Sequence, residues 1–87
     1  MDEKKLNQLK AVLDETMEWP SPYVFKFIVP VDQKESLIAL VGDADVSFRP
    51  SKKGNYMSIT VKKHLQSSED VITIYLRVSS IEGIISL

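Results

Sequence analysis

Ser47-Phe48-Arg49-Pro50-Ser51-Lys52-Lys53-Gly54-Asn55-Tyr56-Met57-Ser58-Ile59-Thr60-Val61 is the stretch on which the fold turns. On its N-terminal side Val46 and Phe48 alternate with Ser47 and Arg49. On its C-terminal side Met57, Ile59 and Val61 alternate with Tyr56, Ser58 and Thr60. Strand side chains point alternately to opposite faces, so each flank reads as a strand with one apolar face. Between them lies a polar turn of Ser, Lys, Lys, Gly and Asn, and the whole is a β-hairpin. Gly54 or Asn55 supplies the left-handed turn residue that sets the register. A phosphate cradle would need a helix N-terminus after the glycine; here a strand follows.

Working outward, residues 45–50 form the strand before the turn and residues 56–65 the strand after it. Lys63 interrupts the inward set of Met57, Ile59, Val61 and Leu65, and is expected at a fraying strand end. An earlier strand spans residues 23–31, with Tyr23, Phe25, Phe27, Val29 and Val31 inward and Val24, Lys26, Ile28 and Pro30 outward. Pro30 has no N–H, so pairing should be lost near that end. Asp32 is a candidate N-cap for a short helix whose buried face is Leu37, Ile38, Leu40 and Val41, and Gly42 ends it. Past the hairpin, Ser67-Ser68-Glu69-Asp70 starts a second helix. Val71, Ile74, Tyr75 and Val78 follow at i, i+3, i+4, i+7, widened by Ile72 and Leu76. Gly83 is expected to stop it, and residues 84–87 form a last short strand.

The core order is therefore β-α-β-β-α-β. That is the ferredoxin-like plan, an α+β two-layer sandwich with a four-stranded antiparallel sheet. Right-handed crossovers put both helices on one side and leave the other sheet face open. Before this core, Leu6, Leu9, Leu13 and Met17 draw one stripe on a helix over residues 2–17, with Val12 beside it. The stripe is too short for a stable coiled coil, so the helix should dock on the domain. Trp19-Pro20-Ser21-Pro22 is an extended linker, with Trp19 a partly buried anchor. Residues 1–19 read as an N-terminal helical extension and residues 20–87 as the ferredoxin-like domain.

The totals exclude several functions. A chain of 87 residues makes one small domain. With no cysteine and one histidine, neither a thiolate metal site nor a His-based triad is expected, and no cofactor. A net charge of −1 lacks the basic excess of a dedicated nucleic-acid binder. Ser58 and Thr60 also stand where sheet-type RNA modules place aromatic rings. No apolar run is long enough to span a bilayer, and the N-terminus has no signal core. The expected location is the cytoplasm, with no membrane and no nucleic acid as partner.

Pro22, Lys26, Arg49-Pro50-Ser51, Gly54, Tyr56, Ser58 and Thr60 together resemble the YbeD-like family of small bacterial proteins. The resemblance spans about residues 20–87. It implies a ferredoxin-like fold akin to the ACT regulatory domains that bind amino acids, and it implies no activity. The chain departs from the family by carrying Val29-Pro30-Val31 where a glycine commonly follows the first strand.

Functional candidates are few. Arg49, Lys52, Lys53, Lys62 and Lys26 could form a basic strip, with Arg49 the bidentate anion donor. His64 has no evident carboxylate or nucleophile partner, and Asp43 with Asp45 supplies too few carboxylates for a hard cation. Ser51 and Ser58 lack a base, so the chain is expected to be no enzyme. The interaction surface to test is Lys26, Ile28, Arg49 and Tyr56. The expected role is a regulatory or protein-interaction domain that forms a homo-oligomer or binds another protein. The alternative is an ACT-like sensor of a small molecule such as an amino acid.

Overall fold

A computed structural model describes residues 3–87. The elements are α1 (Glu3–Thr16), β1 (Ser21–Pro30), a 3-10 turn (Val31–Gln33), α2 (Lys34–Val41), β2 (Asp45–Pro50), β3 (Tyr56–Leu65), α3 (Ser68–Val78) and β4 (Ile85–Ser86). The four strands are ordered β2-β3-β1-β4 and all neighbours are antiparallel. This is the α+β ferredoxin-like sandwich that the element order implied. The expected helix start at residue 2 lies outside the described residues.

Alternation explains the layers. Phe25, Phe27 and Val29 of β1, with Ile59, Val61 and Leu65 of β3, are buried on the helix side of the sheet. They meet Leu37 and Val41 of α2 and Val71, Ile74, Tyr75 and Val78 of α3. The Tyr75 ring stands edge-on to Phe25 and Phe27, with centroids 5.3 and 6.2 Å away. Burial, and secondarily the neighbouring Tyr23, hold the Tyr75 phenol above its ordinary range. Each fully buried aliphatic or aromatic side chain contributes about 1.5–3 kcal/mol, so this layer dominates stability.

The N-terminal helix docks on the domain. Leu6 and Leu13 are buried in the common core, and Leu9, Met17 and Trp19 pack against it half-buried. Val12 remains outside. Polar contacts fix the helix on α3: the buried Ser68 hydroxyl donates to the Asp14 carboxylate. Lys10 Nζ donates to the same carboxylate at 2.9 Å. These two donors, Ser68 first, hold the Asp14 carboxyl below the usual carboxylate range.

Several local expectations are corrected. Asp32 is not an N-cap: the chain leaves Pro30 extended, makes one 3-10 turn, and α2 starts after Gln33 without a side-chain cap. Val31 consequently leaves the sheet and is exposed rather than inward. Leu37 and Val41 are buried as read, while Ile38 and Leu40 are only half-buried. Phe48 lies on the helix side, paired with Ile59, but is 40% exposed because short α2 does not cover it fully. Lys34 Nζ sits 4.3 Å from its ring centroid instead.

Lys63 is not at a fraying end. It pairs with Tyr23 inside the ladder, and its Nζ donates to the Val41 carbonyl at 2.7 Å. The ammonium thus satisfies a last-turn carbonyl of α2, where the helix dipole favours a cation.

α3 begins as read, with Ser67 as N-cap accepting from the Asp70 N–H, but it stops at Val78 rather than at Gly83. The Ser79 and Ser80 hydroxyls donate to the Leu76 and Arg77 carbonyls and cap the end early. Leu76 faces solvent and widens nothing. Gly83, at φ +80°, makes the later turn into β4, where an added Cβ would come within 3.0 Å of the Pro30 ring. Two residues further along the β1–β4 register the next hydrogen-bonding pair would be Gly83 with Pro30, which has no N–H, so β4 stays two residues long.

Candidate functional site

The helices cover one side of the sheet, and the even-numbered residues of β1 and β3 carry the other. Backbone register arranges this open face in rows. Asp45, Lys62 and Val24 form one row and Ser47, Thr60 and Lys26 the next. Arg49, Ser58, Ile28 and Ile85 form a third, and Tyr56 with Pro30 closes the face. Leu87 joins beside Lys26, its N–H donating to the Lys26 carbonyl at 2.9 Å.

The candidate residues thus fall on one surface, with different roles in it. Lys26 and Arg49 share a shallow depression of about 430 Å³ with Ser47, Phe48, Ser58, Thr60 and Leu87. Its lining holds two cations and three hydroxyls, donors suited to an anionic group, with the terminal residue Leu87 beside them. Ile28 is half-buried against its β4 neighbour Ile85, and Tyr56 lies one row beyond at 46% exposure. Val24, Ile85 and Leu87 add exposed apolar surface on the β1–β4 side. Ile85 and Leu87 join this surface through the register of β4 with β1, which alternation within so short a strand does not reveal.

The expected basic strip is divided. Lys62 lines a separate hollow with Asp43, Asp45 and His64, so that site mixes carboxylates with a cation. Lys52 and Lys53 are exposed at the hairpin tip. That tip is held by Ser51 N–H to the Tyr56 carbonyl at 2.9 Å and Gly54 N–H to the Ser51 carbonyl at 3.0 Å. Gly54, at φ +73°, is the left-handed residue of the turn, and Asn55 is not.

The second feature is the free edge of β2. Ser51 donates to Tyr56, so alternate residues Asp45, Ser47 and Arg49 turn their backbone groups to β3. Val46, Phe48 and Pro50 turn theirs outward, leaving the N–H groups of Val46 and Phe48 along an edge with no neighbouring strand among the described residues. Among the described residues no helix is long and apolar enough to cross a membrane, and no group of three His, Asp or Glu could hold a metal ion.

Fold and surface together define a ferredoxin-like sandwich with a bare sheet face and a long bare edge at β2, opposite the two-residue edge strand β4. The chain belongs to the family described as "Protein of unknown function (DUF493)", whose model matches residues 14–87 and so begins inside α1. It is similar to a UPF0250 protein of Shewanella woodyi, 32% identical over 83 residues, spanning 87% of this chain and 94% of that relative. A UPF0250 protein of Klebsiella pneumoniae is 32% identical over 81 residues, covering 85% of this chain and 93% of the relative. No solved structure matches the chain. The family resemblance carried by Arg49-Pro50-Ser51 and the Gly54 to Thr60 alternation is the membership found.

Proposed function

We propose that this chain is a non-catalytic interaction domain that self-associates through its sheet, with Lys26, Ile28, Arg49 and Tyr56 on the associating side. The observation that carries this reading is the free β2 edge beside an uncovered sheet face. Unpaired strand N–H and C=O groups are a template for another strand, and proteins usually blunt such edges with charge, proline or a covering element. Here Pro50 blunts one end and the centre stays open. The adjoining face is apolar at Val24, Ile28, Tyr56 and Ile85, four positions that a partner would remove from water.

Mass measurement in solution tests this. A dimer or larger species is expected at high micromolar concentration, weakened by Ile28→Asp or Tyr56→Asp. A monomer throughout that range contradicts it.

A specific observation favours a second reading, an ACT-like sensor. The depression between Lys26 and Arg49 has a volume within the roughly 300–1,000 Å³ of ordinary ligand sites and a lining matched to a carboxylate or phosphate. Thermal-shift screening against amino acids and nucleotides should then raise the midpoint, and Arg49→Ala should abolish the rise. If none of those ligands moves the midpoint, the sensor reading fails.

A further inference from the structure

We infer that the free edge of β2 takes a second copy of β2, paired antiparallel about a two-fold axis at Ser47. This rests on the self-association reading and specifies its edge contact. The pairing leaves the open face with Ile28 on β1 and Tyr56 on β3 uncovered, so Ile28→Asp and Tyr56→Asp report the face contact, and charge reversals at Asp45 and Arg49 report the edge. The segment Asp45-Val46-Ser47-Phe48-Arg49 is self-complementary when read against its own reverse. In an antiparallel pair centred on Ser47, residue 45 of one strand faces residue 49 of the other, and 46 faces 48. Asp45 then lies opposite Arg49 of the second copy, twice by symmetry, on the open face. Val46 lies opposite Phe48 of the second copy, also twice, on the helix face.

The backbone agrees with the side chains. Val46 and Phe48 are the residues whose polar groups point to the free edge, so in this register they exchange all four of their N–H···O=C bonds with the second copy. Ser47, whose backbone is occupied by β3, sits on the axis as a small non-hydrogen-bonded pair. Phe48, 40% exposed because α2 leaves it open, gains cover from Val46 of the second copy. The result is a continuous sheet with the two β2 strands at its centre. A two-fold pairing is isologous and closes, so the edge contact by itself adds one copy and no more.

Neighbouring registers lose these matches. A two-residue shift toward the C-terminus sets Val46 against Pro50, which has no N–H to give, and Asp45 against Ser51. The opposite shift sets Arg49 against Asp43, which lies outside the strand. Both Asp45 and Arg49 are exposed, so charge reversal at either leaves the core untouched.

Sedimentation equilibrium of the full chain, with Asp45→Arg, Arg49→Asp and the double variant, tests the register. Each single reversal sets like charges opposite one another at both symmetric positions and should weaken dimerisation roughly tenfold or more. The double variant restores the pairing and should recover to within about threefold. Circular dichroism establishes that each variant is folded. In the parent, amide exchange at Val46 and Phe48 should slow as concentration rises. A dimer whose strength ignores both single reversals, or a double variant that does not recover, overturns the register and leaves self-association standing. A monomer at every concentration overturns both.

Discussion

Lys63→Met removes one interaction and keeps most of the rest. The Lys63 stem lies half-buried inside the sheet's apolar side, and only its ammonium reaches out, 2.7 Å from the Val41 carbonyl. Methionine preserves the unbranched stem, so packing changes little. What is lost is a charge-assisted hydrogen bond, about 1.5–3 kcal/mol when well shielded, and a cation at a helix C-terminus, about 0.3–1 kcal/mol when exposed. Because the bond is only partly buried and water can replace the ammonium at the carbonyl, the expected net loss is about 1–2 kcal/mol. For a domain of this size that lowers Tm by about 4–15 °C. The assay is urea and thermal unfolding of parent, Lys63→Met and Lys63→Ala. Alanine should cost more than methionine because it also deletes the stem. Lys62→Met on the open face is the control and should stay within about 0.5 kcal/mol. A Lys63→Met variant as stable as the parent would refute the assignment of this lysine as the clamp on α2. The effect matters beyond stability, since Val41 and Gly42 lead directly into β2 and the clamp holds the base of the free edge.

Two further outcomes follow from the docked helix. Leu13→Ala empties a buried site between α1 and the core and should cost about 2–4 kcal/mol in urea unfolding; a loss below about 0.5 kcal/mol would mean that α1 is an independent arm. Asp14 has its carboxyl depressed in the fold, so its contribution is present above the ordinary aspartate range and is lost as pH falls through the lower, folded value. The stability gap between parent and Asp14→Asn should therefore narrow on acidification, and a gap that is constant from neutral pH into the acid limb would contradict the Ser68 and Lys10 contacts as its cause.

The sheet was legible because period-two alternation and a glycine-bearing turn are local signals. Residues 45–50 and 56–65 bound both hairpin strands in sequence and in structure alike. What alternation cannot show is where a long polar side chain goes. Lys63 looked like a break in the inward set because its charge was counted and its reach was not. Asp32 had the composition of a cap, but Pro30 directs the chain into a 3-10 turn first, and caps depend on backbone angles rather than residue type alone. The end of α3 was misplaced because Gly83 is the louder signal, while Ser79 and Ser80 stop the helix by bonding back to it. On the surface, Lys26, Ile28, Arg49 and Tyr56 were recognisable by outward parity. Their grouping needed the cross-strand register, which brings Lys26 and Arg49 to one depression and sends Lys62 to another.

Native mass spectrometry of the purified chain over a concentration series bears most directly on whether this domain works by self-association. A species of twice the 9.9 kDa chain mass, growing with concentration, is the expected result. A single 9.9 kDa species persisting to high micromolar concentration would contradict it.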